Sequence, residues 1–314
     1  MPALVTHHLF GEESINRLPS GVITSEDERA AFLIANQGPD PYFFHVRSLN
    51  VKGSMEFGRR LHRCRISRQF AALREGVEHL QRHDAGVGRA FALGLLSHYV
   101  LDRASHPFVY AQQWGIQELD LSLENAGSQV HGIIESDLDV LMLQLKRDGA
   151  TTAAYPPESE LITTARINKV AGALMSFVAT SVYDMHVSAA EYGGAVADMK
   201  LAYRVIEPAG SPLSFVLGTA EGLVKDYSLM ASLAHRVTTE PPAGAGNLDH
   251  RRWEDPFTRV VSYESFPEVF ERALDAYADE ASRFVMGVDT TEITRHINYS
   301  GRVLEAHEEF EREE

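Results

Sequence analysis

The chain has a single cysteine, Cys64, among 314 residues, which excludes an internal disulfide framework and any cysteine-rich zinc module. No stretch approaches the ~18 uninterrupted apolar residues that a membrane-spanning helix needs. The amino-terminal MPALVTHHLFGEES lacks a basic segment followed by a long apolar run, so no signal peptide is read there and the expected compartment is the cytoplasm. Positive charge is in deficit: 29 Lys and Arg stand against 44 Asp and Glu, a formal net charge of −15. Without a basic segment, duplex nucleic acid and anionic membrane surfaces are poor electrostatic partners. Alternating strand patterns, internal repeats and low-complexity tracts are missing as well.

What is there is helical periodicity along almost the whole chain. Ser25 to Glu28 reads as a capping box opening a helix through AAFLIAN, which Gly38-Pro39 should end. Further helices are expected over 55–65, 68–81 and 87–110, and then across LENAGSQVHGIIESDLDVLMLQLKRDG, whose basic residues and glycine mark its end. The double proline of TTAAYPPESE marks a loop, and two or three helices should follow within 161–236. After the Pro- and Gly-rich TTEPPAGAGNLDH comes a helix over FPEVFERALDAYADEASRFVMG, then a charged tail, EAHEEFEREE, expected to fray. The expected fold is one all-α domain over 1–314. It would have a metal-site half at about 1–147, a second helical half at about 157–314 and a linker near 238–250.

The stretch SHYVLDRASHPFVY, residues 97–110, sets His98, Asp102 and His106 four residues apart among apolar neighbours. In a helix they form one column, and Leu95, Leu96, Val100 and Leu101 mark that helix for burial. A buried carboxylate is costly unless paired or bound to a metal. The column is therefore either a hydrogen-bonded His–Asp–His stack or a ligand set. His131 and Glu135, in VHGIIES, repeat the spacing on the next helix; alone, that common pair reads by default as a solvent-facing one. Together the two helices offer ligands for more than one ion. The upstream candidates are ambiguous singly. His7 and His8 precede the first clear helix, Asp40 lies in the turn QGPDPYFF, and His62 lies on the amphipathic MEFGRRLHRCR.

Taken in order, THHLFG, QGPDPYFF, GRRLH, SHYVLD, SHP and HGIIE resemble the zinc-dependent phospholipase C family over roughly residues 1–140. The resemblance implies an all-helical bundle around a buried di- or trinuclear zinc site, a site shared with the single-strand-specific nucleases. It implies His62, His98, Asp102 and Asp40 around a first zinc, with Asp102 bridging, and His106, His131 and Glu135 around a second. His7 matches the histidine of a third, which His8 or water would complete, since no processed amino-terminal residue is marked to do so. The implied activity is hydrolysis of a small phosphoester or phospholipid headgroup by a zinc-activated water whose proton Asp40 accepts. The alternative is a non-catalytic helical protein with structural zinc ions, which closed ligand shells would favour. An HD-domain phosphohydrolase would need adjacent His and Asp, and the chain offers only His83-Asp84, in a polar connection.

Overall fold

The computed structural model describes residues 4–207, 232–240, 242 and 244–310. In chain order the longer helices are α1 (Leu4–Ile15), α2 (Glu26–Ala35), α3 (Val51–Arg63), α4 (Ile66–Glu78), α5 (Ala85–Leu119), α6 (Gly127–Lys146), α7 (Ala165–Tyr183), α8 (Glu191–Ile206) and α9 (Phe266–Val285). The short α10 (Thr290–Thr294) and α11 (Ala306–Phe310) follow, and a 3-10 helix, Asp40–Phe44, comes after α2. The all-α expectation holds except at one small hairpin. There β1 (Trp253–Glu254) and β2 (Val261–Ser262) pair antiparallel, with Trp253 opposite Ser262. Strands of two residues are too short to show an alternating pattern. None of the described helices is long and apolar enough to cross a membrane.

Helix α5 is the axis. From Leu93 to Asp102 every residue is buried, so it carries no polar stripe and must be covered on all sides. Helices α2 and α9 pack most closely on it, and α1, α4, α6 and α7 complete the cover. Gly94 permits the tight approach of α2: a Cβ there would lie 2.2 Å from the Phe32 carbonyl oxygen. Helix α2 starts at Ser25, whose hydroxyl accepts from the Glu28 amide at 3.3 Å. The Glu28 carboxylate, however, reaches the Thr24 amide at 2.6 Å, so the expected box closes one residue early.

Three sequence expectations need correction. His7 and His8 lie inside α1, not ahead of the first helix. That helix is buried from Leu4 to Gly11, which leaves no amphipathic signature to read. The tail does not fray as far as Phe310. Glu309 is fully buried, and its carboxylate accepts from the Ile66 amide at 3.1 Å and the Ser67 amide at 2.8 Å, capping α4. Around the Pro- and Gly-rich segment, the Thr238 carbonyl accepts from Gln144 at 2.7 Å, and Gly246 is buried against Leu141 of α6. Residues 208–231, part of the span expected to hold further helices, lie outside the described residues, as do 311–314.

Gly94→Ala should lower stability by on the order of 2 kcal/mol. The gain of up to about 1 kcal/mol in helix propensity is outweighed, because the colliding atom is backbone and α2 must move. Urea unfolding of the two proteins measures this; an unchanged or raised midpoint would contradict it.

Candidate metal centre

The column on α5 forms as its spacing requires, with His98, Asp102 and His106 all buried. What matters is how each ring is held. His98 donates Nδ1–H to the Asn36 carbonyl at 2.9 Å, at the carboxy-terminal cap of α2. His62, near the end of α3, donates Nδ1–H to the Gly58 carbonyl at 2.7 Å. His106 shares its Nδ1–H between the carbonyls of Asp102 and Tyr299, at 3.0 and 2.9 Å. His131, on α6, faces Gln113 Oε1 with its Nδ1 at 2.9 Å. Gln117 donates to the Leu123 and Glu124 carbonyls and accepts from Gln113 Nε2, which orients the Gln113 amide with its oxygen toward His131. Carbonyl oxygens only accept, so all four rings carry a proton on Nδ1, and each ring that is neutral keeps its lone pair on Nε2.

Those four lone pairs face carboxylates. His62 Nε2 lies 3.1 Å from Asp40, His98 Nε2 3.4 Å from Asp102, and His131 Nε2 3.1 Å from Glu135. His106 Nε2 is 3.7 Å from the same Glu135 oxygen. His7 Nε2 lies 3.1 Å from Asp102, and its ring stacks on His98 at 4.0 Å. The Nε2 atoms of His62 and His98, with Asp40 Oδ1 and Glu135 Oε2, are buried and lack a hydrogen bond of acceptable geometry. A ring lone pair and a carboxylate oxygen repel unless a proton or a cation lies between them.

Protons are a poor solution here. Burial, and then the charge of His98, hold the His7 pKa below its usual value; burial and, among the opposing charges, His131 lower that of His106. Burial would also lower His98, but Asp102 outweighs it and raises that ring. Burial alone would raise the Asp102 pKa, yet His106 and His98 hold it well below the usual carboxylate range. Glu135 is likewise depressed, burial being outweighed chiefly by His131. Two of the facing rings thus resist protonation and one favours it, while the carboxylates are held ionised by the positive charge around them. A divalent cation satisfies both kinds of group at once.

Three groups have ligand atoms mutually within 4.8 Å: His7–Asp40–His98, His62–His98–Asp102 and His106–His131–Glu135. The first two share His98, whose one free nitrogen serves one ion. The described residues therefore offer two independent sites, and they could hold metal ions. The structure brings His7 into the first of these clusters. His8 points away from both, its Nε2 lying 2.8 Å from Glu160, so it is not available to complete a third site. His83 is exposed in the α4–α5 connection, far in character from a ligand, while Asp84 pairs with Arg166 at 3.0 Å. Searches against protein-family models, curated proteins and solved structures find no match to this chain.

Sequence reasoning passed over the residues that brace the site. Asp139 continues the His131–Glu135 spacing by another four residues. Its carboxylate accepts the Val5 and Thr6 amides at 2.9 and 2.8 Å, holding the helix that carries His7. His235 sits between Asp139, at 2.9 Å, and Glu207. Burial would lower the His235 pKa, but the two carboxylates outweigh it and raise it to about 9. The extra step on α6 was visible in the sequence; the return of His235 to it was not.

A histidine with a higher pKa folded than unfolded contributes its stability below the unfolded value, 6.5, and loses it as pH climbs through about 9. Between those limits the wild type should lose on the order of 2 kcal/mol more stability than His235→Gln does. Urea unfolding of both proteins across that window measures the difference; parallel pH profiles would contradict the buried cation.

Proposed function

We propose that this chain is a zinc-dependent phosphoester hydrolase of the phospholipase C type. The reading rests on the motif resemblance and on one structural observation. A cleft of about 590 Å³ opens over both ligand groups, with His62, His106 and His131 in its wall. Ligand shells closed on all sides would suit structural zinc; a cleft leading to both groups favours catalysis. Imidazole and carboxylate donors without a thiolate suit zinc among the borderline ions. Cys64 donates its thiol to the Arg60 carbonyl and belongs to neither group.

Bound there, zinc would lower the pKa of water and neutralise phosphoryl oxygens. The chain's own residues hold and orient. His62, His98 and Asp102, or His7, Asp40 and His98, would hold one ion; His106, His131 and Glu135 would hold the other. Nδ1 bonds to carbonyls fix the ring planes of His62, His98, His106 and His131, so those four keep their aim during turnover. Asp40, buried at the start of the 3-10 helix, accepts the proton released as water attacks phosphorus. Phe43 and Tyr299 line the cleft beside the ligand histidines.

Zinc-loaded protein should hydrolyse bis(p-nitrophenyl) phosphate or p-nitrophenyl phosphate, and Asp40→Asn should lower kcat by about 10²–10⁴. Metal content must be measured beside the rate. Lost turnover with zinc retained supports the proton-accepting role; lost turnover with zinc lost makes Asp40 a ligand only. Metal-replete wild type inert on both esters would leave structural zinc as the better reading.

A further inference from the structure

The cleft over the ligand groups has a neighbour. A second pocket, of about 690 Å³, shares Arg59, Arg63, Tyr110 and Ser300 with it, so the two are one continuous depression. In a chain of net charge −15, this second compartment is basic: Arg59, Arg60, Arg63, Arg65 and Arg302 line it, against Glu56 and Glu308.

The arginines are not equivalent. Arg302 pairs with both oxygens of Glu308, at 2.9 and 2.6 Å. Arg60 pairs with Glu56 at 3.0 Å, and Arg65 is buried and donates to the Val182 carbonyl at 2.8 Å. Arg59 is exposed and has one contact, to Glu56 at 3.3 Å. Arg63 is exposed and makes no ion pair or hydrogen bond among the described residues. These two lie one turn apart on α3, on either side of the ligand His62 in sequence. Both stand where the metal cleft and the basic pocket meet.

The remaining wall is aromatic. Tyr110 packs against Trp114 at 5.7 Å and Phe257 at 5.8 Å, and all three line the basic pocket. A low-dielectric wall beside a guanidinium strengthens its attraction for an anion, and the planar fork of arginine matches phosphate and carboxylate oxygens. A cationic headgroup would meet only repulsion from Arg59 and Arg63.

We propose that this pocket binds a second anionic group of the substrate, a phosphate or carboxylate, so that the substrate carries negative charge at two separate positions. The inference rests on the hydrolase reading for its meaning, but it is tested by binding. The shared chemistry has two sources, a soluble bisphosphate or a phosphorylated lipid headgroup.

Titration calorimetry on the zinc-loaded full chain would compare fructose 1,6-bisphosphate with fructose 6-phosphate, which differ by one phosphate. The bisphosphate should bind at least about tenfold tighter, the ratio that one charge-assisted hydrogen bond supplies. Arg63→Gln, an exposed substitution, should bring that ratio close to one. In a second arm, sedimentation with phosphatidylcholine vesicles containing phosphatidylinositol 4-phosphate reads the lipid source. An Arg63-dependent preference in the first arm supports the proposal with a soluble substrate; Arg63-dependent pelleting in the second supports it with a lipid-borne one. Equal or absent binding in both arms, or preferences that Arg63→Gln leaves intact, would overturn it. A bisphosphate preference without turnover of any ester would reject hydrolysis and keep the pocket. Turnover without that preference would do the reverse.

Discussion

A neutral histidine that gives its Nδ1 proton to a carbonyl has only a lone pair left to offer from Nε2. Four rings donate from Nδ1 in this way, His62 partly buried and His98, His106 and His131 buried, and each Nε2 faces Asp40, Asp102 or Glu135. With the carboxylates ionised, only a proton or a cation between the two atoms resolves such a contact. Either the rings become imidazolium ions in a buried, mutually repelling cluster, or cations occupy the space between nitrogen and oxygen. The depressed pKa of His106, and of His7 stacked on His98, weighs against the first solution, while Asp102 raises His98 toward it. These groups could hold metal ions on their geometry alone, before any likeness to other proteins is considered.

Much of the fold serves to hold those Nδ1 partners in place. The Asn36 carbonyl reaches His98 only because α2 lies tight against α5, an approach that the missing side chain of Gly94 allows. Gly38 has φ +55°, and a Cβ there would lie 2.2 Å from the His98 ring, so the turn beneath the ring has room for no other residue. Tyr299 brings its carbonyl to His106 while its hydroxyl accepts from Gln69 at 2.7 Å, tying the carboxy-terminal segment to the centre. On the far side, Asp139 clamps the start of α1 and so sets the position of His7.

The legible part of this site is the part written within single helices. His98, Asp102, His106, His131 and Glu135 announce themselves by four-residue spacing, and the burial of α5 by the apolar Leu95, Leu96, Val100 and Leu101 around them. Asp40, His62 and His7 carry no such signal; only their order and local motifs, taken as a resemblance, pointed to them. The carbonyl partners at Asn36, Gly58 and Tyr299 have no sequence signature at all, because any residue supplies a carbonyl. Long-range returns were hidden for a related reason. His235 reaches Asp139 across 96 residues, and Glu309 caps α4 from 242 residues away. A charged tail residue looks solvated until the amides it satisfies are known.

The central claim is the protonation state of four rings, and ring-nitrogen NMR of ¹⁵N-histidine-labelled protein during a zinc titration reads it most directly. The account predicts that His62, His98, His106 and His131 keep Nδ1–H throughout, and that their Nε2 resonances shift together as about two equivalents of zinc are taken up. Rings that are imidazolium near neutral pH, with Nε2 signals indifferent to zinc, would contradict it and make the cluster a network of buried ion pairs.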